Sequence, residues 1–190
     1  MLDKVFAGLQ SACEALHEAL HNLSLTVIED RPVEGEVLLV ERLGDLVACL
    51  QGWAEEASQA AGTARRAVGY PQDFNRARGA LAALSAALIR AKYGFFGEAL
   101  HAETLARLRR FGRERGREWL SWTGGVAEAL EACSPCFRAA DEALALAWTE
   151  LTERLAARGL SLTNTNIGLL AETAPRSAGP RADGPRDGPP

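Results

Sequence analysis

Nine apolar residues recur between positions 39 and 67 at steps of four and three without a miss: Leu39, Leu43, Leu46, Leu50, Trp53, Ala57, Ala60, Ala64 and Ala67. An α-helix of 3.6 residues per turn brings all of them to one side, so the stretch reads as one long rod with a dry face and a wet one. The same spacing runs through Leu2, Phe6, Leu9, Cys13, Leu16, Leu20 and Leu23, and through Phe74, Ala77, Leu81, Leu84, Leu88, Ala91 and Phe95. It returns in Val126, Leu130, Cys133, Phe137, Ala140, Leu144, Ala147 and Leu151, where Trp148 and Leu155 widen the stripe. Amphipathic helices gain most of their stability by packing their apolar faces together. The expected fold is therefore all-α, an elongated antiparallel bundle of four to five long amphipathic helices.

Composition agrees with this fold. Apolar residues make up 47% of the 190 and aromatic ones only 6%, so the core must be mostly Leu and Ala, good helix formers. A chain of this length can bury a self-sufficient core, and one domain over residues 1–170 is expected. Ala171 onward is of another kind. Five of its twenty residues are Pro and three are Gly, and Gly-Pro-Arg begins at both 179 and 184. Such a segment cannot bury a core, and a disordered Pro/Gly-rich C-terminal tail is expected.

Breaks are marked by familiar residues. Ser24 to Glu36 holds β-branched residues, Pro32 and Gly35, and should leave the first helix. Gly69, Tyr70 and Pro71 should stop the second, with Asp73 capping the third. Gly94 and Gly97 bracket two phenylalanines and should kink or interrupt it, with helix resuming through Phe111. A turn is expected at Gly112, Gly116 or Gly124-Gly125, the glycine pair being the strongest breaker because it costs a helix interior about 2 kcal/mol. Pro135 should kink the last helix without redirecting it, since the stripe keeps its phase from Cys133 to Phe137. Gly159 is the expected stop.

The N-terminal residues carry Asp3, Lys4 and Glu14 and lack the apolar run of a secretory signal; the Ala-rich Gly79–Ile89 is too short to cross a bilayer. Four cysteines without a dense framework fit buried free thiols in a reducing compartment. A cytoplasmic protein with no membrane association is expected.

The net charge of −4 argues against a surface given over to nucleic acid or anionic lipid, but it conceals blocks of opposite sign. Residues 1–62 hold 11 acids and 3 bases, residues 63–117 hold 4 acids and 12 bases, and residues 118–160 hold 7 acids and 3 bases. Acidic helices flanking a basic one would help set the pairing of the bundle. The densest cluster is Arg107, Arg109, Arg110, Arg113, Arg115 and Arg117, opposed only by Glu114. In a continuous helix Arg109, Arg113 and Arg117 fall four apart with Arg110 beside them, a row of guanidinium groups capable of contacting phosphates. No interleaved aromatics or groove-reading motif accompanies the row, so a solvated face paired with the acidic helices is the favoured reading.

Glu-x-x-His occurs as Glu14/His17, Glu18/His21 and Glu98/His101. Carboxylate bundles bind metals with such pairs when they point inward. Here the seam residues Cys13, Leu16 and Leu20 leave Glu14, Glu18 and His21 toward solvent and His17 on the flank. Cys133-Ser134-Pro135-Cys136 has the spacing of a redox or metal couple but lacks the strand-and-helix setting of the thioredoxin type. No catalytic residue, cofactor or metal ligand is assigned.

Trp122-Thr123-Gly124 resembles the Trp-x-Gly turn of small secreted helical hairpins of the WXG type. Those proteins are about half as long and carry a Tyr-x-x-x-Asp/Glu export signal, whereas Tyr70 and Tyr93 are followed at that spacing by Phe74 and Gly97. No family is assigned on three residues.

The expected function is that of a non-enzymatic helical scaffold or adaptor, acting through a protein partner or self-association. Two alternatives follow from the residues: polyanion or nucleic-acid binding through Arg107, Arg109, Arg110, Arg113 and Arg117, and a metal–carboxylate protein.

Overall fold

The computed structural model describes residues 1–32 and 38–159. The expected Pro/Gly-rich tail, and Gly35 and Glu36 of the expected first break, lie outside them. Five α-helices follow in order: α1 Leu2–Ile28, α2 Leu38–Val68, α3 Phe74–Gly94, α4 Ala102–Arg115 and α5 Arg117–Ala156. A 3-10 turn, Pro71–Asp73, precedes α3, and a π-helical turn, Phe95–Ala99, follows it. Met1–Arg154 forms one compact unit; Leu155 onward forms a second, of which only Leu155–Gly159 is described.

Four helices close a ring in the first unit. His21 on α1 meets Gln51 on α2 at 3.0 Å, and Gln10 meets Arg65 at 3.2 Å, so these helices run antiparallel. Glu56 on α2 pairs with Arg90 on α3 at 2.6 Å, while Gly94 lies against Leu50, again antiparallel. On α5, Trp148 Nε1 donates to Ser85 Oγ at 3.2 Å, Asp141 pairs with Lys92, and Phe137 stacks on Phe95. The ring is completed by Trp122 Nε1 of α5, which donates to Thr26 O of α1 at 2.9 Å. This is the up-down-up-down topology that short connections favour.

The apolar stripes of α1, α3 and α5 are buried as expected apart from the half-buried Leu2, with Phe6, Leu9, Cys13, Leu16, Leu20 and Leu23 fully enclosed and Phe95 meeting Phe137 where α3 gives way to the π turn. On α2 the stripe is displaced. Leu43, Leu50, Ala57 and Ala64 are buried, but they alternate with Val40, Val47, Ala54 and Ala61 rather than with Leu39, Leu46, Trp53 and Ala60, which are half-buried on the flank. A helix touching two neighbours buries a stripe wider than a two-stranded seam, and here α1 and α3 both lean on α2.

Two of the expected breaks do not occur. Ser24–Ile28 does not leave the helix: α1 continues to Ile28, with Ser24 and Val27 buried. Gly124-Gly125 does not turn the chain, because α5 continues unbroken through it, so Trp122-Thr123-Gly124 lies in the second turn of that helix and is not the hairpin turn of the resembled type. The burial of Trp122 and Val126 on either side outweighs a cost of about 2 kcal/mol. Among the three turn candidates the chain reverses at Gly116, whose φ of 104° lies in the region that favours glycine. α5 also continues through Pro135.

Candidate interaction surface

The π-helical turn arises where α3 runs into a close approach. Gly94 sits so tightly on α2 that a Cβ there would stand 3.1 Å from Leu50 Cδ2 and 3.3 Å from Trp53 Cζ3. Beyond it Leu100 N donates to Phe95 O at 2.7 Å, the wider bond of a π turn. Two adjacent rings part at the start of this turn. Phe95 enters the core, its centroid 4.7 Å from that of Phe137, while Phe96 turns outward, edge-on to Phe95 at 4.9 Å and to Phe137 at 5.6 Å.

Phe96 therefore joins Ile89 and Tyr93 in an apolar strip on the outside of α3. These three side chains are 42%, 53% and 77% exposed, respectively, and with Lys92 and Gly97 they line an open groove of about 570 Å³. Their spacing of i, i+4 and i+7 is helical but lies off the core stripe. Sequence reasoning passed over them because it followed the stripe that closes the bundle; three large apolar residues in a second register were the available signal.

Beyond the groove, α4 continues along the same side of α5. Leu108 and Gly112 are its buried residues, and Phe111 stacks edge-to-face on Trp119 at 5.1 Å. Arg107, Arg109, Arg110 and Arg113 are all exposed on this helix. Arg107 pairs with Glu103 one turn back, and Arg115 lies 4.8 Å over the Phe111 ring. Arg109, Arg110 and Arg113 make no hydrogen bond or ion pair with another described residue.

Two expectations about this cluster need correction. Arg117 does not extend the row, because Gly116 separates it from α4 and makes it the first residue of α5. Nor, among the described residues, does the cluster pair with the acidic helices α1 and α2, whereas Arg90 of α3 reaches Glu56 of α2 and Lys92 of α3 reaches Asp141 of α5.

The other candidate residues are scattered. Glu14, Glu18 and His21 face solvent, as the phase of α1 requires, and His21 Nδ1 is held by Gln51 Nε2. Glu98 is exposed, and His101 serves as the N-cap of α4, its Nδ1 accepting from Glu103 N at 3.3 Å. No three His, Cys, Asp or Glu side chains converge as metal ligands among the described residues. Cys133 is buried, and burial, with Cys136 nearby, pushes its thiol up to about 12; Cys13 is pushed up to about 12 by burial and by Glu14. Both are neutral at physiological pH and poor nucleophiles. Cys49 is exposed and Cys136 half-buried.

No helix among the described residues is long and apolar enough to cross a membrane. Compared with known proteins, the chain matches no family model, no curated protein and no solved structure.

Proposed function

We propose that this chain is a non-enzymatic helical scaffold that works by protein–protein association through the outer face of α3 and the π turn. The observation that carries the reading is the strip Ile89–Tyr93–Phe96, three large apolar side chains kept exposed beside a groove while the rest of α3's apolar stripe is sealed. Contiguous apolar surface on a bundle exterior marks association sites, and π turns recur at functional positions. The test is mass in solution together with partner binding, for the native chain and for Tyr93→Ala and Ile89→Ala. Both side chains are more than half exposed, so the fold should tolerate their removal. Loss of association by about tenfold or more supports the reading. A chain that stays monomeric, and whose partner binding neither variant changes, contradicts it.

Polyanion binding is a second reading, favoured by Arg109, Arg110 and Arg113, which are exposed and have no partner among the described residues. It requires affinity for nucleic acid that falls steeply with salt.

A further inference from the structure

We infer that the occupant of this surface is an acidic amphipathic helix of a partner protein, its apolar residues lying on Ile89, Tyr93 and Phe96 and its carboxylates reaching Arg109, Arg110 and Arg113. The inference rests on the scaffold reading and adds the chemistry of the partner. Both halves of the site flank the same helix: Phe137 of α5 touches Phe96, and Thr123 of α5 abuts Gly112 beside the arginines. Fourteen residues of α5 separate these two points, about 21 Å at 1.5 Å per residue, and Ile89 lies two turns before Phe96, about 10 Å more, so a helix of about six turns covers the whole site. Residues 89–115 hold seven bases and three acids. Arg90, Lys92 and Arg107 are already tied to Glu56, Asp141 and Glu103, so the charge left for a ligand is concentrated on α4.

Charge complementarity thus calls for an anionic partner, and the strip calls for one with aliphatic or aromatic anchors at helical spacing. A nucleic acid fits less well. Tyr93 offers an exposed ring, but Phe96 is wedged edge-on against Phe95 and Phe137, Phe111 is covered by Arg115, and Ile89 has no ring to stack, so the strip lacks the succession of free rings on which single strands stack.

The experiment measures binding of fluorescent probes to the full chain by anisotropy. The first probe is a designed peptide of about 22 residues with Leu in a heptad pattern and Glu on the remaining face. The second is its counterpart with Lys for Glu, and the third an oligothymidylate of about 20 nucleotides. The acidic peptide should bind at least about tenfold tighter than the basic one. Arg109→Ala with Arg113→Ala should weaken it about tenfold and flatten its salt dependence, and Tyr93→Ala should weaken it while leaving the salt dependence unchanged. Absence of binding, equal affinity for both peptides, or tighter binding of the oligothymidylate overturns the inference. If association in solution still depends on Tyr93 while the acidic peptide fails, only the partner's chemistry is wrong; if Tyr93→Ala changes no association at all, the scaffold reading falls with it.

Discussion

Gly112 of α4 and Thr123 of α5 are packed so closely that a Cβ on the glycine would stand 2.3 Å from Thr123 Oγ1 and 3.1 Å from Trp119 O. The hairpin that turns at Gly116 can close only with hydrogen at this position, and closure brings Phe111 onto Trp119. Gly112→Ala should therefore destabilise the protein by about 2 kcal/mol, within the usual range for overpacking, despite the better helix propensity of Ala. Thermal or denaturant unfolding checks this, and adding Thr123→Ala should recover part of the loss.

The opposite outcome is expected at Gly52 and Gly124. Both lie inside helices and are exposed, and an added Cβ would meet nothing within 4 Å. Gly52→Ala and Gly124→Ala should each stabilise by about 0.5–1 kcal/mol, measured as a higher denaturant midpoint at unchanged slope.

Trp122 closes the ring of helices by a single polar contact. Thr26 lies in the last turn of α1, where the carbonyls lack helical donors; Asp30 N is bonded to Leu25 O, and the indole N–H of Trp122 supplies the bond to Thr26 O. Trp122→Phe keeps most of the apolar burial and leaves that carbonyl without its donor, so a loss of about 1–2 kcal/mol is expected. Hydrogen exchange should show the C-terminal turn of α1 opening more readily in the variant.

These same places show how far the fold could be read from residues alone. The stripes of α1, α3 and α5 were legible because each keeps one register throughout. On α2 two registers were available, one through Leu46 and Trp53 and one through Val47 and Ala54, and only contact with both α1 and α3 selects the second. Gly124-Gly125 misled because intrinsic propensity is a local quantity, while the burial that keeps α5 unbroken comes from other helices. The arginines of α4 were visible as a cluster and Gly116 as one of three turn candidates, but local propensity favoured Gly124-Gly125 as the breaker, so the residue that removes Arg117 from the row could not be singled out. The apolar strip Ile89–Tyr93–Phe96 went unnoticed because it runs in a second register beside the stripe that closes the bundle, and only the packing of α3 on α2 and α5 shows which of the two registers is left uncovered.

Alkaline pH should weaken the fold through its buried thiols. Cys13 and Cys133 keep their protons up to about pH 12 when folded, whereas the unfolded chain releases them near 9.0. Above that pH the unfolded state binds fewer protons, so stability falls as pH rises from about 9 toward 12, by about 1.4 kcal/mol per unit for each thiol. Cys13→Ala with Cys133→Ala should lower stability at neutral pH but make its decline with pH shallower. Alkylation of the native protein should modify Cys49 first and Cys136 next, sparing the two buried thiols until the protein unfolds.

The scaffold reading is tested most directly by a photo-crosslinking residue placed at Tyr93, with exposed Ala15 on α1, the helix diagonal to α3, as the control. In the native cell, position 93 should yield a discrete protein adduct, a second copy or a partner, that position 15 does not. No adduct at 93, or the same adducts from both positions, would contradict the assignment of this face as the working surface of the protein.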